Sequence, residues 1–123
     1  MKHRFAFAGF RHGHIYGLYD RVKNDAGCEI VGACEEDAAS RPAVRSDIEL
    51  NYTNIAEMLD KSGCDAVAIG DFYGKRGRIA IEALRRGKHV IADKPLCTSL
   101  ADLDEIARTL HDVAVSGGWS TFK

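Results

Sequence analysis

Nowhere does this chain carry an apolar run approaching the length of a membrane span. The short apolar segment after Met1-Lys2-His3-Arg4 is too brief for a signal-peptide core. No membrane partner is expected, and the cytoplasm is the default location. A C-x-x-C pair is also missing. Cys28, Cys34, Cys64 and Cys97 stand singly, which removes a zinc ribbon and leaves reduced thiols acting as small hydrophobes. Charge of one sign is balanced: 17 Lys and Arg face 18 Asp and Glu, for a formal net charge of −1. Nothing in that balance draws the chain toward nucleic acid or an acidic surface. Internal repeats and low-complexity linkers are absent, and 123 residues suffice for one domain with one core.

What is there is an alternation. Phe5-Ala6-Phe7-Ala8 reads as a buried strand stopping at Gly9. Ile15, Leu18, Tyr19 and Val22 then form one stripe of an amphipathic helix, with Gly27 placed to end it in a left-handed conformation. Ile30 to Cys34 is a second apolar strand, closed by Glu35, Glu36 and Asp37. Pro42 interrupts any long helix after it, and Leu50-Asn51-Tyr52 has the character of a short edge strand. Asn54 and Glu57 have the spacing of a helix N-terminal cap, with Ile55, Met58 and Leu59 as the apolar face. Ala66 to Ile69 is a third strand, ending at Gly70. A helix from about Arg76 to Arg86 stops at Gly87, and His89 to Ala92 is the next strand. Ser99 and Asp102 cap a helix carrying Leu100, Leu103, Ala107 and Leu110, and Val113-Ala114-Val115 reads as a further strand.

Uniformly apolar strands joined by helices imply a parallel sheet covered on both faces. The predicted fold is α/β: a doubly wound parallel sheet of the Rossmann type, in three α/β/α layers.

Ligands of such sheets bind beyond the carboxyl ends of the strands. There the chain places Gly9, Phe10, Arg11, His12, Gly13, His14 and Ile15, a turn opening directly into a helix. Backbone amides and the positive end of the helix suit a pyrophosphate. The strict G-x-G-x-x-G pattern is absent: Arg11 and His14 stand at the second and third glycine positions, and Gly13 is one residue early. The Arg11 guanidinium is a charge-assisted donor that offsets a less intimate backbone approach, such bonds contributing about 1.5–3 kcal/mol.

Glu35 follows the second strand directly. An acid there accepts hydrogen bonds from both adenosine ribose hydroxyls and repels a 2′-phosphate, which favours NAD over NADP, with NADP use left open. The alternative is that Glu35, Glu36 and Asp37 only begin the next helix with favourable dipole charges. His12 and His14 flank one glycine, yet no third ligand is near them in sequence, and no metal is expected. Gly70 to Arg76 falls short of a phosphate-binding loop by one residue and has Arg76 where Ser or Thr belongs. The basic residues Lys75, Arg76, Arg78, Arg85, Arg86 and Lys88 read as a solvated helix surface, so no nucleic-acid partner is expected.

Gly87-Lys88-His89-Val90-Ile91-Ala92-Asp93-Lys94-Pro95-Leu96 closely resembles the G-K-H-V-hydrophobic-x-E-K-P-hydrophobic stretch of the Gfo/Idh/MocA (glucose–fructose oxidoreductase/inositol dehydrogenase) family, with Asp93 for the usual Glu. Asp65 to Gly70 and the capped helix before it match the family's pattern. The His12/His14 turn resembles a subgroup with G-x-N-H-x-H-I. The resemblance implies that Lys94 lies beside the nicotinamide ring and touches substrate as the catalytic group. Asp93 and Pro95 flank it, with Pro95 shaping the turn, and Asp71 and Tyr73 occupy the loop usually reading P-N-x-x-H. Phe72 stands at that Pro and Arg76 at that His, where Arg76 is placed to contact a substrate carboxylate or a phosphate.

The resemblance runs from residue 4 to about 110, and the family's C-terminal substrate domain has no counterpart before Lys123. Residues 1–123 are therefore read as a single NAD(P)-binding domain, truncated relative to the family, of an enzyme moving hydride between nicotinamide and a hydroxyl-bearing carbon of a sugar or cyclitol. Small-molecule substrate binding is expected only once a second domain is supplied. The competing reading is a non-catalytic nucleotide-binding or assembly module. Apolar surface left for the missing domain predicts a homo-oligomer.

Overall fold

A computed structural model of the chain describes residues 2–93 and 95–116. The elements run β1 (His3–Ala8), α1 (His14–Lys23), β2 (Cys28–Cys34), a 3-10 helix (Ala38–Ala43), α2 (Ile55–Lys61), β3 (Ala66–Ile69), α3 (Tyr73–Arg85), β4 (His89–Ala92) and α4 (Leu100–Ser116). The strands form one parallel sheet in the order β2-β1-β3-β4. Beyond β2, Tyr52 makes a single parallel bridge to Cys34, so the predicted edge strand at 50–52 is reduced to one pairing. This is the doubly wound order, with the chain reversing direction across the sheet between β1 and β3.

Alternation along β1 divides the core. Phe7 points into a cluster with Phe10, Ile15, Tyr19, Val22 and Ile48, which seats α1 on one face. Ala6 and Ala8 point to the opposite face, where Met58 and Leu59 of α2, Ile81 and Leu84 of α3 and Ile106 of α4 close the third layer. Asn54 accepts the Glu57 N–H at 2.8 Å and Ser99 accepts the Asp102 N–H at 2.9 Å, the caps the spacing predicted.

Four local expectations are corrected. Helix α1 ends at Lys23 with Asn24 as its cap; among the described residues the left-handed glycines are Gly9, Gly63 and Gly87, and Gly27 is not among them. Helix α3 begins at Tyr73, three residues earlier than the pattern indicated, because Gly74 and Gly77 weaken the helical signal. Val113-Ala114-Val115 continues α4 instead of forming a strand. Among the described side chains of α4, Ile106, Thr109 and Val113 are buried, so the strand-like Val113 serves a helical period. The expected apolar stripe of that helix faces solvent instead, with Leu100 84% and Leu103 51% exposed.

Candidate functional site

The sheet register levels the carboxyl ends of the strands, pairing Ala8 with Cys34 and with Ile69, and Ile69 with Ala92. The residues directly after them, Gly9, Glu35, Gly70 and Asp93, therefore share one rim. Gly9 has φ +87°, and a Cβ there would lie 2.7 Å from the Asp71 backbone N. Gly70 is equally confined: a Cβ would meet the Gly9 carbonyl oxygen and the Ile15 Cβ, each at 2.6 Å. In the sequence Gly70 reads as the end of the third strand and not as a site residue. Its carbonyl accepts the Arg11 and His12 N–H groups, both at 3.0 Å, and thereby folds the turn back onto β3. Gly13 is the N-cap residue of α1, and a Cβ on it would meet nothing within 4 Å. That open side is where a bound group has room to approach the helix N-terminus.

Phe10 and Ile15, expected at the cofactor, turn their side chains into the core and contribute backbone to the turn. Glu35 is buried. Its Oε1 accepts the Phe10 N–H at 3.0 Å and its Oε2 the Asp37 N–H at 3.2 Å. Glu36 reaches across to cap α2, accepting the Ile55 N–H at 2.8 Å. The acids after β2 therefore cap two separate segments.

Asp71 is buried under Gly9, and desolvation raises its carboxyl above the ordinary range, with the Glu35 charge adding to the rise. Arg11 Nη1 lies 3.8 Å from Asp71 Oδ1, and the Arg11 guanidinium stacks 4.4 Å from the Phe72 ring centroid. This stacking holds Arg11 against the loop after β3.

Arg76 overturns its assignment to a solvated surface, since it is fully buried. Its Nε donates to the Asp71 carbonyl at 2.9 Å, and its Nη1 to the carbonyls of Asp93 at 2.7 Å and Pro95 at 3.3 Å. A guanidinium is the side chain with enough donors for that clamp. The neighbouring Arg78 and Arg85 behave as predicted, exposed and paired with Glu105. Tyr73 covers Arg76, its ring centroid 4.8 Å from the guanidinium carbon, and its hydroxyl lies 3.4 Å from His12 Nε2. His14 pairs through Nδ1 with Asp93 Oδ2, a contact across 79 positions that no local spacing signals. Lys94, the catalytic candidate, lies outside the described residues; Asp93 and Pro95 on either side are held by Arg76. All four cysteines are free thiols, and burial pushes Cys34 up to about 12.

The chain matches the Gfo/Idh/MocA oxidoreductase family, NAD-binding Rossmann fold, over residues 4–116. It belongs to that family. Among solved structures it is similar to an oxidoreductase from Sinorhizobium meliloti, at 27% identity and a TM-score of 0.66, covering 91% of this chain and 34% of that one. Similar too is myo-inositol 2-dehydrogenase from Lactobacillus plantarum, at 25% identity and a TM-score of 0.73, over 91% of this chain and 34% of that one. The WlbA dehydrogenase of Bordetella pertussis, solved with NADH and UDP-GlcNAcA, shares the fold at 21% identity and a TM-score of 0.77, over 93% of this chain and 35% of that one. A comparison with curated proteins gives no match. The chain thus spans about a third of the length of the structures it matches. This Gfo/Idh/MocA domain is an NAD-binding domain, and no helix among its described residues is long and apolar enough to cross a membrane.

Proposed function

We propose that the chain is the cofactor-binding part of an oxidoreductase acting on a hydroxyl-bearing carbon of a sugar or cyclitol. One observation carries this reading: Gly9 and Gly70 meet at the point where the sheet reverses direction, beneath an open helix N-terminus. The pyrophosphate lies against the amides of Gly13 and His14, with Arg11 as the charged donor. The acids after β2 receive the adenosine ribose. Glu35 spends two hydrogen-bond positions on backbone, and a carboxylate has about four. Its negative charge supports NAD over NADP.

Bound NAD supplies the hydride acceptor or donor; the chain's residues orient and exclude. Lys94 is the group we assign to the substrate hydroxyl, and Arg76 holds the carbonyls of its sequence neighbours Asp93 and Pro95. Substrate contacts beyond this rim come from a further domain or a second chain, and the exposed Leu100 and Leu103 of α4 are an apolar surface suited to either. That same surface favours a homo-oligomer, and the balanced charge suits the cytoplasm.

The test is to join the chain to the substrate domain of a relative, offer it NAD together with cyclitols, aldoses and sugar acids, and follow reduced nicotinamide. Turnover that disappears in Lys94→Met while NADH binding persists supports the proposal. NADH binding without turnover on any member of the panel favours the second reading, a nucleotide-binding or assembly module.

A further inference from the structure

Two histidines on one turn fall short of a metal site, and the fold brings a third donor to them. His12, His14 and Asp93 each offer a ligand atom, and these atoms lie within 4.8 Å of one another. The first two come from the β1–α1 turn and the third from the carboxyl end of β4, joined across the rim by the sheet register. All three line a cavity of ≈ 40 Å³ walled by Ile15, Ile69 and Ile91. A single water needs about 10–15 Å³ of such space, so the cavity has room for an ion and a water or two but not for a sugar.

We propose that His12, His14 and Asp93 bind one divalent transition cation of the zinc class. Two imidazoles and one carboxylate suit such an ion, whereas magnesium demands oxygen ligands. Three protein ligands leave a coordination position open. The present contacts of His12 are easily exchanged: Nδ1 is 3.5 Å from the His14 N–H and Nε2 3.4 Å from the Tyr73 hydroxyl. His14 is solvent-exposed and gives the ion a way in. Arg76 lines the same cavity, with a buried Nη2 that has no hydrogen-bond partner. Its charge opposes a bare cation and favours one carrying an anionic fourth ligand, such as hydroxide or a carboxylate, to which Nη2 donates.

The experiment is calorimetric titration of the metal-free, reduced chain with zinc chloride, and with magnesium chloride as control. One zinc per chain is expected, with no saturable heat from magnesium. His14→Ala and Asp93→Asn each weaken binding at least about tenfold, since even outer-shell losses cost 10–100-fold, while Cys28→Ser and Cys97→Ser leave it unchanged. Circular dichroism checks that each variant folds, and His12→Gln is the substitute for one that does not. Cobalt in place of zinc gives a visible spectrum without thiolate charge-transfer bands. Absence of saturable zinc binding overturns the proposal. So does binding that survives both His14→Ala and Asp93→Asn, or binding that is lost with either cysteine.

Discussion

The Phe10 backbone N–H donates to Glu35 Oε1 at 3.0 Å in the buried rim, so the acid after β2 holds the turn after β1. Glu35→Ala leaves that N–H and the Asp37 N–H without their acceptor, and stability falls by about 1–3 kcal/mol in urea denaturation. Glu35→Gln keeps an acceptor oxygen and loses the charge. If the carboxylate also receives ribose, Glu35→Gln raises the affinity for NADPH relative to NADH. An unchanged ratio assigns Glu35 to the turn alone.

Gly70 and Gly13 predict opposite outcomes for the same substitution. Gly70→Ala forces a methyl onto the Gly9 carbonyl and Ile15 and lowers stability by about 1–3 kcal/mol, the usual cost of overpacking. Gly13→Ala meets no atom, so its stability changes by no more than about 0.5 kcal/mol. Its added methyl stands where the pyrophosphate approaches, and NADH affinity drops. Thermal melts and a cofactor titration on both variants separate the two effects.

Arg76 joins the loop after β3 to the turn after β4 through the carbonyls of Asp71, Asp93 and Pro95. Arg76→Met leaves these acceptors without their charged donor, and stability falls by about 2–4 kcal/mol. Arg76→Lys does not restore it, because a single ammonium cannot span the same fork. Amide exchange at residues 96–98 accelerates in both variants.

Asp71 gives the fold a pH dependence of definite sign. Desolvation raises its carboxyl in the folded chain above the ordinary 3.8, so the native state binds its proton more tightly than the unfolded state. As pH rises from 3.8 through the folded value, this residue's contribution becomes progressively less favourable, and the deficit is complete above that value. Asp71→Asn keeps an acceptor for the Phe72 N–H, which Oδ1 now takes at 2.8 Å, and carries no charge. The variant melts higher than the parent at neutral pH, and the gain vanishes on acidification below 3.8.

The parallel sheet was legible because its strands are apolar on both faces, and the Asn54 and Ser99 caps because each works over three residues. Gly9 was legible as the end of a strand before a helix. Gly70 was not, since its confinement comes from Gly9 and Ile15 on other elements. Arg76 read as one more surface cation because the carbonyls that satisfy it lie up to 19 positions away. The stripe of α4 was misassigned for a related reason. Hydrophobicity marked Leu100 and Leu103, yet packing against α3 selected Ile106, Thr109 and Val113. His14 and Asp93 are brought together only by the sheet.

A functional dinucleotide site on the Gly9–His14 turn is open to one decisive experiment, calorimetric titration of the chain with NADH and NADPH. Saturable NADH binding is expected, tighter than NADPH binding and weakened in Gly13→Ala. No binding of either dinucleotide by a folded chain contradicts it.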